Sequence, residues 1–151
     1  MSKTIVTYFS VSGVTAGKAE QLANIFNADL FEIAPKQKYS SADLDWRDSS
    51  SRSSVEMKDE KSRPEMAKNT DLSQYDTVFI GFPIWWYTAP HIINTFIESN
   101  DFSGKKVVLF ATSGSTGIEK TVNDLQKQYP DINIAGGKLV NRSFSEKDFD
   151  F

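Results

Sequence analysis

Residues 10–15 read SVSGVT, a cluster of hydroxyls around one glycine at the end of an apolar run. Ser10, Ser12 and Thr15 can each donate a hydrogen bond, and Gly13 allows close approach to the backbone. The N–H groups of Val14, Thr15 and Ala16 open a helical pattern. A helix N-terminus carries about half a unit of positive charge and free N–H groups, so this combination suits a phosphate. The plainer reading of the same residues is a helix cap on Ser12 or Thr15. Two common phosphate loops are excluded. Gly13 and Gly17 are separated by three residues where a Walker A loop has four, and Ala19 follows Lys18 where a magnesium-binding hydroxyl belongs. The dinucleotide fingerprint G-x-G-x-x-G is absent.

A second cluster, FPIWWYTAP, sets Trp85, Trp86 and Tyr87 side by side between Pro83 and Pro90. Rings this large cost several kcal/mol together if left bare, so they either close a protein contact or flank a flat heterocycle. A third segment, TSGSTG, offers Thr112, Ser113, Gly114 and Gly117 as small residues whose backbone could bond a ring edge. A phosphate pocket without basic side chains, an aromatic clamp and a narrow turn together suit flavin mononucleotide. Other chemistries have little to work with. The chain has no cysteine, and His91 is its one histidine, which disfavours thiolate catalysis, a histidine-rich metal site and a Ser-His triad. A catalytic His91 is weighed against a solvent-facing residue at a helix start.

The elements that must position these clusters follow from periodicity. Apolar runs of strand length lie at 5–9, 29–33, 77–82 and 106–112, and 132–141 reads as a fifth strand interrupted or bulged at Gly136-Gly137. Ala19, Leu22, Ala23 and Phe26 recur at helical spacing over 16–26. Pro90 opens a second helix bearing Ile92, Ile93, Phe96 and Ile97, and 116–129 forms a third, ended by Pro130. Alternating strands and helices predict an α/β doubly wound parallel sheet with helices on both faces. In such sheets ligands sit beyond the carboxyl ends of the strands, where all three clusters fall. Residues 36–71 interrupt the alternation. They read either as a solvated connection with one short helix or as a lid over the ligand, in which Trp46, Arg47, Arg52 and Arg63 would matter.

At 151 residues the chain, 1–151, fits a single domain, and 39% apolar against 25% charged residues is ordinary for a globular protein. Aromatics reach 13%, consistent with either a planar ligand or an aromatic core. A formal charge of −3 argues against nucleic acid as a partner. The N-terminus enters a strand directly and no apolar stretch reaches membrane-spanning length, so a cytoplasmic protein with no membrane partner is expected.

SVSGVT resembles the S/T-x-S/T-G-x-T phosphate loop of the flavodoxin family, and GFPIWWYTAPHIINTFIES with DFSGKKVVLFATSGSTGI is similar to its bacterial short-chain, flavodoxin-like subfamily. RPE at 63–65 is similar too, and the likeness covers most of residues 3–140. The resemblance implies a five-stranded sheet in the order 2-1-3-4-5 with FMN at the switch between strands one and three. It implies that Ser10, Ser12, Val14, Thr15 and Ala16 hold the FMN phosphate. Pro83, Ile84, Trp85, Trp86 and Tyr87 would line one side of the isoalloxazine, and Thr112, Ser113, Gly114 and Gly117 would meet its other edge. The expected function is an FMN-binding redox protein with no catalytic side chain, passing electrons to a redox partner protein or a small-molecule acceptor. The alternative is an NAD(P)H-dependent quinone or flavin reductase. A receiver domain is set aside, because Ser10-Val11-Ser12 and Pro83-Ile84-Trp85 stand where it needs acidic residues. Two features depart from the family. The charge is mild for a carrier steered onto a basic partner. The segment SFSEKDFDF at 143–151 leaves little room for a final helix, so Phe144, Phe149 and Phe151 are expected to fold back as a cap, or a homodimer to complete the cover.

Overall fold

The computed structural model describes residues 3–113 and 116–151. Five strands, β1 (Thr4–Tyr8), β2 (Asp29–Glu32), β3 (Thr77–Pro83), β4 (Lys106–Thr112) and β5 (Asn133–Leu139), form one sheet in the order β2-β1-β3-β4-β5. Every pairing is parallel. Helices α1 (Val14–Phe26), α2 (Arg52–Lys58), α3 (His91–Glu98) and α4 (Glu119–Gln128) fill the connections, and a 3-10 turn spans Glu146–Phe149.

A parallel sheet must be buried on both faces, and β3 shows how one strand serves both. Val78, Ile80 and Phe82 enter a core with Ile92, Ile93 and Phe96 of α3 and Leu125 of α4. Phe79 enters the opposite core with Val6, Leu22, Phe110 and Phe149. Gly81 lies beside Phe110 in the register, and a Cβ there would collide with the Phe110 ring. The glycine is needed for the close approach.

Element boundaries differ from the sequence expectation for local reasons. Helix α1 begins at Val14, ahead of residue 16, because Gly13 takes φ 90° and the Gly17 N–H closes the first turn on its carbonyl at 3.0 Å. Neither Ser12 nor Thr15 caps it. Pro90 is the N-cap of α3 rather than its first residue, and α4 starts at Glu119 instead of 116. In β5 the irregularity falls at Ala135, since Val107 pairs Ile134 while Val108 pairs Gly136. The two glycines serve packing: a Cβ on Gly136 would meet the Phe151 ring at 2.5 Å, and one on Gly137 would meet Val122 at 2.8 Å.

Residues 36–71 form a pinned cover containing one short helix. Arg52 of α2 stacks on Tyr39 at 3.8 Å and bonds Glu56 at 2.9 Å, while the Tyr39 hydroxyl donates to the same carboxylate at 2.5 Å. Arg63, in the RPE segment, grips Glu98 of α3 through both carboxylate oxygens at 3.1 Å. Among the described residues no helix is long and apolar enough to cross a membrane, and no group of three or more acidic or histidine side chains is placed to hold a metal.

Candidate cofactor site

The three clusters meet at Thr112, the last residue of β4. Its carbonyl accepts the Ile84 N–H at 2.9 Å, and its hydroxyl lies 2.9 Å from that of Thr15. Both hydroxyl-bearing residues are buried. The next residue, Ser113, is held from two sides. Its N–H donates to Asn141 Oδ1 at 2.9 Å, and its hydroxyl donates to the Thr116 carbonyl at 2.6 Å. Gly114 lies outside the described residues. Gly117 leaves room for the Glu119 carboxyl group, which a Cβ would strike.

At the other end, Ser10 accepts the Gly13 N–H at 3.1 Å and so shapes the loop ahead of α1. Ser12, Gly13 and Val14 are exposed and Ala16 is half-buried. The first N–H groups of a helix have no acceptor within it, so those of Val14, Thr15 and Ala16 can serve an outside anion. Lys18 sits instead over the Phe144 ring at 5.8 Å. The loop therefore presents amides and hydroxyls, with its nearest lysine turned away to Phe144.

The aromatic segment is a strained reverse turn. Trp85 and Thr88 exchange both backbone bonds, at 2.9 and 3.0 Å, and the two residues between them, Trp86 and Tyr87, take φ of 47° and 67°. That region favours glycine and asparagine, and each bulky residue held there costs about 1–2 kcal/mol. The three rings then divide the work. Trp85 turns inward, edge-on to Phe9 at 5.7 Å and to Tyr39 at 5.5 Å. Trp86 and Tyr87 remain 40% and 65% exposed, beside a cavity of about 380 Å³. Trp85, Ile84 and Val11 also line it, as do Leu44, Trp46 and Ser53 of the 36–71 cover. This size and apolar lining suit a planar ring system. Pro83, paired with Thr112, ends β3 just behind that wall.

Several of these residues escaped the sequence reading. Leu44 and Ser53 lie in a polar, serine-rich stretch with no periodicity, and Asn141 lies in no motif that points to this site. Of the arginines considered for a lid, Arg47 pairs locally with Asp45, and Arg52 and Arg63 act as struts.

His91 is a strut as well. The Ser62 hydroxyl donates to the Glu56 carbonyl at 2.7 Å, so at 2.6 Å it must accept from His91 Nδ1–H. Burial first, and Arg63 second, push the His91 pKa below its ordinary value, while Glu56 and Asp59 oppose the shift. The unfolded chain then binds the proton more readily than the folded one. Stability from this residue is complete above the ordinary histidine value and falls as pH drops toward the lower folded value. Urea midpoints measured at about pH 7.5 and 5.5 should fall more steeply with acid in the parent than in His91→Gln. Equal slopes would remove His91 from the account.

The flavodoxin family model matches residues 3–150. Comparison with curated proteins gives no match. Among solved structures, a provisionally assigned flavoprotein from Bacteroides uniformis superposes with a TM-score of 0.93 at 52% identity, covering 97% of this chain and 94% of that one. Another from Bacteroides eggerthii gives 0.94 at 52% identity, with coverage of 97% and 92%. A flavoprotein from Lactobacillus acidophilus in complex with FMN gives 0.73 at 25% identity, covering 92% and 93%. With the sheet order, the switch-point site and a family match over nearly its whole length, the chain belongs to the flavodoxin family.

Proposed function

We propose that this chain is an FMN-binding redox protein that passes electrons through the bound flavin. The observation that carries the reading is the convergence on Thr112 of an amide-and-hydroxyl anion loop and a strained aromatic turn. Bound FMN supplies the redox chemistry, exchanging electrons at its ring. The protein's part is to bind, orient and exclude water. Ser10, Ser12 and Gly13 shape the phosphate loop, and the N–H groups of Val14, Thr15 and Ala16 answer its charge. The Thr112 hydroxyl can donate to Thr15, leaving the Thr15 proton free for a phosphate oxygen. Trp86 and Tyr87 flank the ring, Trp85 and Pro83 back them, and Ile84 fills the wall. Ser113 and Gly117 face the opposite edge.

Thr15→Ala removes one hydrogen bond to a charged group, worth about 1.5–3 kcal/mol, so FMN affinity should fall about ten- to a hundredfold. Riboflavin, which lacks the phosphate, should bind the parent far more weakly and hardly notice the substitution. Titration by flavin fluorescence reads both, and equal parent affinities for FMN and riboflavin would sink the assignment. Electron passage is tested with the reconstituted protein, NAD(P)H and a quinone. A carrier gives no sustained NAD(P)H oxidation without a separate reductase. Steady turnover would make the protein an NAD(P)H-dependent reductase instead.

A further inference from the structure

Ser53 is 1% exposed, lines the same cavity as Trp86 and Tyr87, and its hydroxyl has no hydrogen-bond partner among the described residues. Its backbone is already committed. The N–H donates to the Asp43 carbonyl at 2.9 Å, and the residue lies within α2. The surrounding cover is built to hold it there. Ser40 and Asp43 bond each other reciprocally at 2.9 and 3.1 Å, and Arg52 fastens α2 to the Gln37 carbonyl at 2.7 Å. Its neighbours on the helix are satisfied: the Ser51 hydroxyl donates to Ser54 at 2.9 Å. A buried hydroxyl left without a partner is destabilising, and such groups in native structures call for an explanation. Among the described residues the Thr121 hydroxyl is also buried without a partner, but it does not line this cavity. Ser53 shares the cavity with Trp86 and Tyr87, both held at positive φ, so two independent local costs border it.

We propose that the Ser53 hydroxyl is a ligand-contacting group, hydrogen-bonding the polar edge of the planar ring that the aromatic turn flanks. A hydroxyl both donates and accepts, so it can serve a ring carbonyl or a ring nitrogen. The contact comes from the connection between β2 and β3, which makes that connection part of the cofactor site. The inference rests on the flavin reading of the cavity.

Three proteins test it: the parent, Ser53→Ala and Ser54→Ala, each measured without cofactor by thermal melting and with FMN by titration. Ser53→Ala should melt at the parent temperature or about 2–4 °C above it, because an unpartnered buried hydroxyl is gone. Its FMN affinity should nevertheless fall roughly tenfold. Ser54→Ala should show the reverse pattern, a lower melting temperature with FMN affinity within twofold of the parent. An Ser53→Ala protein that binds FMN within twofold of a binding parent overturns this inference and leaves the flavin reading standing. So does one that melts well below the parent, since the hydroxyl would then be structural. A parent that binds no FMN overturns both.

Discussion

Phe149→Ala should lower the melting temperature by about 10 °C, from a loss of about 3–5 kcal/mol spread over a chain of this size. The ring is 5% exposed and packs edge-on against Phe26 at 6.2 Å, Phe79 at 5.8 Å and Phe144 at 5.7 Å. It lies on the face of the sheet covered by α1, whose Leu22 and Ala19 reach only part of that core. In the 3-10 turn that carries it, the Asp148 carboxylate accepts the Ser145 N–H at 2.8 Å and the Asp148 N–H donates to the Ser145 carbonyl at 3.1 Å. Lys106 anchors the last residue, donating to the Phe151 carbonyl at 2.6 Å. Deleting residues 144–151 should therefore be at least as harmful as Phe149→Ala, and should expose apolar surface that binds a hydrophobic dye. A truncated protein that melts within about 2 °C of the parent would show that the tail covers nothing of consequence.

The order of strands and helices was legible because each element's apolar period is long enough to read. The loop ahead of α1 was legible because hydroxyls, a glycine and a helix start fall within six consecutive residues. The aromatic turn was readable only as composition. Nothing in WWYT announces positive φ at Trp86 and Tyr87, since local propensity favours glycine or asparagine there and the structure overrides it. The cover was the hardest part. Leu44 and Ser53 reach the cavity through contacts set by Arg52, Tyr39 and Glu56, whose pairing across up to 17 residues leaves no periodic trace. Local rules failed at the cavity wall more than elsewhere, as expected where function competes with stability.

That competition gives the last prediction. In the double variant Trp86→Asn with Tyr87→Gly, the turn acquires the residue pair that its backbone favours. Removing two strained positions returns about 2–4 kcal/mol, offset in part by the contacts the two rings make in the free protein. The cofactor-free variant should melt several degrees above the parent. FMN binding should move the other way. Two ring faces are lost, each worth about 1.5–3 kcal/mol of burial and about 0.5–1.5 kcal/mol of stacking, so affinity should fall at least a hundredfold. Single Leu substitutions separate the contributions. Trp86→Leu and Tyr87→Leu should relieve the quenching of bound-flavin emission. Trp85→Leu should chiefly destabilise the protein, because that ring packs on Phe9 and Tyr39. A double variant that melts below the parent while keeping its FMN affinity would mean that the turn is unstrained and its rings belong to the fold, not to the cofactor.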